Sequence, residues 1–260
     1  FLQTVVSSRV LSILCYTFVQ ASISTVVSFA VAIMPAYYAG KHNNAITGVL
    51  NSTVFIPFFF PAVSAVIAFS LIFSRNGIIH LLGFDPNIMY TFKGIVIAHV
   101  FYNSPLFVRY IGSALQKVPR EVIEEATAAG ASSLTRFIRV EWPFLAPAAA
   151  RAALLVFIYS FMSFVIVLSI GGVEFYTIEA EISSVMRSTL DFPYALSLSV
   201  LQFLIIGVVA VILGQGAQYE LSDVSLSDTS KSPITLLVSL CFILFEYTFV
   251  IFGILVCFFD

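Results

Sequence analysis

A polar insert interrupts this sequence between Gln116 and Pro147, in a chain of which only 10% of the residues are charged. Within it, Glu121 and Glu125 are four residues apart, so a helix would place both carboxylates on one face, where they repel each other. A docked cationic partner would relieve that repulsion. A solvated loop with its acids placed for the helix dipole would use the same residues, so the physics of the insert leaves both interpretations open.

The first part of the insert carries the signals that begin and end a short helix. Pro119 suits a first helical turn, and Glu121 stands near the positive end of the helix dipole. Gly130 can end the helix in a left-handed conformation. We therefore predict a short helix followed by a hinge.

The second part of the insert predicts another helix. Ser132 or Ser133 can cap it at its start. It would run over residues 134–141, and we expect Pro143 to end it. The two helices would lie along a membrane face.

Residue types that perform catalysis or bind metals are present, but they are not grouped. His42, His80 and His99 are far apart and lack His-Glu-x-x-His spacing. The three cysteines lie in apolar runs without a ligand partner at metal-binding spacing. Nothing matches the Gly-x-x-x-x-Gly-Lys-Ser/Thr motif of an ATP site. We therefore expect no catalytic residue, metal or cofactor in this chain, and an energy source in another subunit.

The elements around the insert must sit in lipid, because 60% of the 260 residues are hydrophobic and the mean hydropathy is +1.02. A water-soluble domain has about 45–50% apolar residues. Long unbroken apolar runs favour helices over barrel strands, which would need alternation. The net charge is −2 without a basic tract, which argues against a nucleic-acid partner.

The length allows roughly six spans at about 20 residues each, so we predict an all-α, polytopic membrane helix bundle. Pro57 and Pro61 should kink the second span, and the segment 173–193 should leave the hydrocarbon. The expected spans are 10–38, 49–73, 94–115, 148–170, 194–213 and 234–259.

Polar side chains at membrane depth are candidates for a solute path. Gln20, Asn103 and Gln202 are the ones we select, although Gln20 and Gln202 can also bond a neighbouring helix. Arg109 can extend toward the membrane surface. Glu246 lies mid-span in the sixth run, in a helix that would be peripheral if it opens a second half of the protein.

The insert resembles the cytoplasmic signature loop of ABC importer permeases, whose pattern is Glu-Ala-Ala, three residues, Gly, nine residues, then Ile-x-Leu-Pro. Glu124, Glu125 and Ala126 fill the triplet, Gly130 is in register, and 140–143 fill the closing tetrad. The departures from the pattern are Glu125 for the first Ala, Val140 for Ile and Trp142 for Leu.

The rest of the chain is similar to the permeases of ferric-iron and thiamine importers, through the segments 57–61, 73–77, 94–105, 171–172 and 176–179. Those proteins are often two permease halves fused in one chain. The resemblance therefore implies a transmembrane domain over 1–216 with a preceding helix missing, and a coupling loop at 117–147. A cytoplasmic linker at 217–233 and the first helix of a second half at 234–260 would follow.

The resemblance also implies the type I permease fold and a function. The chain would be the permease subunit of an ATP-driven importer in a bacterial inner membrane, carrying ferric iron or thiamine. Glu124, Glu125, Ala126, Gly130 and Pro143 would couple it to the ATPase. Arg136 and Arg139 would support that docking or simply anchor the positive side.

The expected partners are two copies of a cytoplasmic ATP-binding subunit, an external solute-binding protein, membrane lipid, and a second permease half or a homodimer. Other solutes of this class are sulfate, polyamines and phosphonates. The rival functions are an ion-gradient-driven transporter, which would need intramembrane carboxylates besides Glu246, and an intramembrane enzyme or a structural scaffold.

The charge bias of the loops predicts the orientation. Eight of the 12 Lys and Arg residues fall on one side if the loop after the first span is cytoplasmic. Residues 117–139 should then be cytoplasmic, while 75–87 and 174–191 are external. Single-cysteine labelling in intact cells tests this, and labelling of Ser132→Cys by an impermeant reagent from outside would overturn it.

Overall fold

The computed structural model describes residues 7–53, 59–84, 87–172, 175–214 and 233–259, and every regular element in these ranges is helical. The longer helices are α1 (Ser8–Lys41), α3 (Ala62–Phe73), α5 (Phe92–Leu115), α7 (Ser133–Phe161), α9 (Phe192–Gly214) and α10 (Pro233–Phe259). The shorter ones are α2 (Ala45–Thr53), α4 (Ile78–Leu81), α6 (Arg120–Ala128) and α8 (Ile178–Ser188).

The centre of the bundle is the pair α1 and α5, which pack along each other more extensively than any other two elements. α7 lies against both of them, α9 packs against α7 and α8, and α10 lies on α1, α2 and α3. Large apolar side chains such as Phe107 and Ile111 fill the core between these helices and are fully buried. The all-α membrane bundle predicted from composition is confirmed.

Five of the described segments are long and apolar enough to cross a membrane, namely Ser8–Lys41, Ala62–Leu81, Ser133–Phe161, Phe192–Ile212 and Pro233–Leu255. The remaining predicted span is α5, which has 24 residues and a length of about 36 Å at 1.5 Å per residue. α5 is less apolar than the others because it carries His99, Asn103 and Arg109. Its His99 and Asn103 are buried in the bundle.

The second predicted span is not one kinked helix. α3 begins at Ala62, and Pro61 at its N-cap has an extended conformation (φ −60°, ψ 137°), so the helical path is interrupted there. A proline without an N–H group is well suited to a helix start. Pro57, the other expected kink, lies outside the described residues.

The prediction that Pro143 ends a helix is wrong. A π-helical turn, Phe137–Glu141, joins the start of α7 to its longer part, and the N–H of Trp142 bonds to the carbonyl of Phe137, five residues back. Pro143 therefore occupies the first turn of the following α-helical stretch, where its missing N–H costs nothing. The helix runs unbroken from the polar insert into the bundle.

The far end of α7 also differs from the prediction, because the helix stops at Phe161 rather than at Ile170. A separate π-helical turn, Val167–Gly171, follows the break. Gly172 then has φ +71°, a conformation that glycine adopts without steric cost. Gly172 thus holds the positive-φ position that follows the π-helical turn.

In the described bundle the sixth helix is not peripheral. α10 contacts α1, α2 and α3, and Phe242, Glu246 and Phe249 are buried. Phe249 stacks on Phe69 of α3 with ring centroids 4.1 Å apart. Burial of such aromatic rings is strongly favourable, so α10 is packed as an integral member of the bundle.

Candidate functional site

The polar loop, residues 117–147, begins with the helix that the sequence predicts. α6 follows Pro119, has Glu121 in its first turn, and ends with φ +79° at Gly130. The N–H of Ala131 bonds to the carbonyl of Ala126 at 3.0 Å, which is the closing bond of a glycine-terminated helix. The predicted left-handed stop at Gly130 is confirmed.

α6 lies on the end of the bundle with its acidic face outward. Ile123 is half-buried and packs against the core cluster that contains Leu115 and Val118. Glu124 and Glu125 are exposed. The two carboxylates therefore face away from the bundle, while the apolar side of α6 holds the helix on it.

The second helix of the loop is capped and tied back to the first. The hydroxyl of Ser132 accepts the N–H of Thr135 at 3.2 Å, so Ser132 is the capping residue of the two serines considered. Arg136 Nη1 donates to Thr127 Oγ1 of α6 at 3.2 Å. Arg139 is exposed, and the two arginines therefore have different surroundings.

A buried carboxylate in the π-helical turn is a residue that the sequence did not single out. Glu141 is fully buried, its Oε1 accepts from Lys41 Nζ at 2.6 Å, and Arg136 Nε lies 3.6 Å away. The local sequence gives no signal for it, because Glu141 stands in the polar insert close to Arg136 and Arg139, and its partner Lys41 is 100 positions away.

Gln20, the first solute-path candidate, lies in the middle of the bundle beside two residues that we did not select. Gln20 Nε2 donates to His99 Nδ1 at 2.7 Å, and Ser24 Oγ lies 3.0 Å from the same nitrogen. All three side chains are buried. Their hydrogen bonds join α1 to α5, as the packing alternative for Gln20 expected.

Asn103 and Gln202 are not brought together with Gln20. Asn103 Nδ2 donates to Ser160 Oγ of α7 at 3.1 Å, and both side chains are buried. Gln202 is buried and hydrogen-bonded to Glu179. Burial raises the pKa of Glu179 above its ordinary value, and the hydrogen bond from Gln202 lowers it in part.

Arg109 is exposed and lines a cavity of about 340 Å³ between α5 and α7. Lys117 and Arg151 line the same cavity, together with apolar groups such as Phe144. Asp and Glu are absent from the eight described residues that form its wall. The charged residues described in the wall of this cavity are therefore all cationic.

The sequence of this chain matches a known protein family. The family model described as "Binding-protein-dependent transport system inner membrane component" matches residues 24–222, which include the whole polar loop. The chain belongs to this family. It is thus a multi-pass permease of the inner membrane.

Two curated relatives illustrate the range of the family. The thiamine transport system permease protein ThiP of Brucella abortus (strain 2308) is 32% identical over 207 residues, 76% of this chain and 38% of the relative. The probable sulfate transport system permease protein cysT of Helicosporidium sp. subsp. Simulium jonesii is 31% identical over 156 residues, 58% of this chain and 56% of the relative. The chain thus spans about two fifths of the length of that thiamine permease.

A solved structure supports the fold. It is described as "Crystal structure of an amino acid ABC transporter with histidines", and it superposes with a TM-score of 0.54 at 15% identity, over 79% of this chain and 91% of that one. The type I ABC importer permease fold expected from the resemblance is confirmed.

The hydrogen bonds among Gln20, Ser24 and His99 lead to a prediction about the stability of the bundle. His99→Leu would remove one of the two acceptors of Gln20 Nε2 and leave only Ser24 Oγ, at 3.2 Å. We therefore expect the free energy of unfolding to fall by about 1 kcal/mol. Gln20→Leu combined with His99→Leu should recover part of it, because both polar partners are then removed. Thermal unfolding of the purified full-length permease measures this. A Gln20→Leu variant of normal stability with impaired uptake would instead favour a role in the solute path.

Proposed function

We propose that this chain is part of an ATP-driven importer, in which the polar loop docks on a separate cytoplasmic ATPase. The observation that carries the proposal is α6 itself, a short helix held by Ile123 and ended at Gly130, with Glu124 and Glu125 facing outward. A rigid helix of this kind can pass a displacement to the bundle. Membership of the family favours this over the ion-gradient-driven transporter.

The expected assembly follows from the same proposal. Two ATPase copies would act on two permease halves, since alternating access needs two bundles that rock about a central site. The second half would come from the same chain or from a second copy. An external binding protein, which the name of the family implies, would deliver the solute.

Thiamine is the solute that we propose first, because relatives named as thiamine permeases match about three quarters of this chain. The ferric-iron expectation receives no comparable support from these relatives. An oxyanion such as sulfate is the second candidate. The cavity lined by Arg109, Lys117 and Arg151 favours an anion, whereas thiamine carries a positive charge.

The solute prediction is tested by uptake in cells that lack the full-length protein. We expect uptake of radiolabelled thiamine to fall and to return with the intact gene, while sulfate and ferric iron enter normally. Loss of sulfate uptake instead would favour the oxyanion, and Arg109→Gln should then lower sulfate uptake. Identification of the ligand carried by the cognate binding protein gives an independent answer.

The coupling prediction concerns Gly130. A β-branched side chain at φ +79° costs roughly 1–2 kcal/mol, although a Cβ there would meet no other atom within 4 Å. We expect Gly130→Val to insert and express normally while uptake falls severely and the ATPase co-purifies poorly. Gly130→Asn is the matched control, because asparagine tolerates the left-handed conformation, and it should retain most activity.

Glu124→Lys should act in the same direction as Gly130→Val, because it places a cation on the exposed face of α6. The same uptake and co-purification measurements apply. Normal transport by both Glu124→Lys and Gly130→Val, with the ATPase still bound, would mean that the polar loop is only a solvated connection.

A further inference from the structure

The buried Glu141 stands where three parts of the chain meet. Its Oε1 accepts from Lys41 Nζ at 2.6 Å, across 100 positions of sequence. Arg136 Nε is 3.6 Å from the same oxygen. Lys41 is the last residue of α1, and Arg136 and Glu141 flank the π-helical turn of α7. A single carboxylate oxygen thus joins the end of α1 to the start of α7.

Lys41 is held tightly at this position. It also donates to the hydroxyl of Tyr37, and its ammonium lies 4.3 Å from the centre of that ring. A cation at the last turn is favoured by the helix dipole. Phe137 packs edge-on against Tyr37 with centroids 5.6 Å apart, so apolar rings border the ion pair and limit the screening of its charges.

The π-helical turn is what brings Arg136 and Glu141 together. In a regular α-helix, residues five apart are separated by about 140° around the axis, at 3.6 residues per turn. An i to i+5 turn brings them closer to one face, and such turns occur frequently at functional sites. The turn therefore has a specific geometric result, the convergence of Arg136 and Glu141.

The chain of contacts continues to α6. Arg136 uses Nη1 to bond Thr127 Oγ1 at 3.2 Å, while its Nε faces Glu141. Thr127 belongs to α6, the helix that carries Glu124 and Glu125. The path from α6 to α1 is therefore Thr127, Arg136, Glu141 and Lys41, with a polar contact at each step.

We propose that the cluster Lys41, Glu141 and Arg136 is a positioning joint that fixes α6 relative to α1 and passes its displacement to the bundle. The functional part of this inference rests on the proposed coupling role of α6. The positional part, which is that the cluster fixes α6 relative to α1, does not depend on that role. The two parts can therefore be measured separately. The three residues act through α6 and α1 and do not contact the solute or the nucleotide.

The positional part is tested by a distance between spin labels. Labels at Asn43→Cys, just after α1, and Ala128→Cys, at the end of α6, are both at exposed positions. They would be placed in the full-length permease, bound to its ATPase in lipid nanodiscs and otherwise free of cysteine. We expect one narrow distance distribution, which Glu141→Gln broadens. Lys41→Met should broaden it similarly, so the test does not depend on one variant folding.

The matched control is Glu181→Gln, the same change at another buried carboxylate that forms an ion pair. Glu181 is 3% exposed and pairs with Arg9 at 2.8 Å, but it lies in α8, away from α6. We expect Glu181→Gln to lower the stability of the bundle without broadening the distribution of distances between the spin labels on Asn43→Cys and Ala128→Cys. Broadening by Glu181→Gln equal to that by Glu141→Gln would overturn the proposal, because it would reflect general loosening of the bundle.

The functional part is tested by the number of solute molecules imported per ATP hydrolysed. We expect Glu141→Gln and Lys41→Met to lower this ratio at least about fivefold, the low end of typical coupling between sites, while the ATPase stays bound. Lys41→Arg keeps the positive charge, so this variant should import nearly as many solute molecules per ATP as the unchanged protein. Unchanged ratios in both variants would overturn the proposal even if the distance broadens.

The two proposals fail in different ways. If Gly130→Val and Glu124→Lys transport normally, the docking role of α6 is refuted, while the spin-label distance still decides whether Glu141 positions α6. If those two variants lose the ATPase but Glu141→Gln and Lys41→Met leave both distance and ratio unchanged, docking stands and the joint is refuted.

Discussion

A polar group inside hydrocarbon needs a partner within the protein, and in this chain several of these partners lie along the contact between α1 and α5, although Gln20 Oε1, Ser28 Oγ and His99 Nε2 have none among the described residues. Thr17, Gln20, Ser24 and Ser28 form a fully buried stripe on α1, spaced three or four residues apart. His99 of α5 bonds two of them. Since unsatisfied polar groups in lipid cost several kcal/mol each, the register of α1 against α5 is fixed by chemistry as well as by shape.

The kind of polar interaction changes with position along the described bundle. Ion pairs occur near its two ends, where Lys41 meets Glu141 at one and Arg9 meets Glu181 at the other. Neutral hydrogen bonds such as Asn103 to Ser160 occupy the interior. This order follows from solvation, because a charge is less costly near the headgroups than in the middle of a bilayer. Glu246 is the exception, and Ser104 of α5 donates to it.

The features predicted from sequence are those that depend on neighbouring residues. The left-handed end at Gly130 and the cap at Ser132 involve atoms within five residues, so composition and spacing were enough. The membrane bundle followed from hydropathy. The cluster at Glu141 could not be found in this way, because its partner Lys41 is 100 residues distant.

The structure departs from two expectations, one about Pro143 and one about α10. Both expectations rested on local rules. The stop at Pro143 was inferred from the rule for regular α-helices, and the π-helical turn before it removes the conflict that the rule assumes. The peripheral position of α10 was expected on the condition that it opens a second half, whereas in the described bundle its Phe249 stacks on Phe69 of α3. In both cases a non-local or irregular interaction outweighed a local signal.

The unbroken course of α7 has a mechanical meaning. Its 29 residues form a rod of about 44 Å at 1.5 Å per residue, and a rod transmits torque as well as thrust. A hinge at Pro143 would have released any twist at the membrane surface. A twist applied near Ser133 would act on one continuous helix, which carries Pro147 in its interior and stops at Phe161.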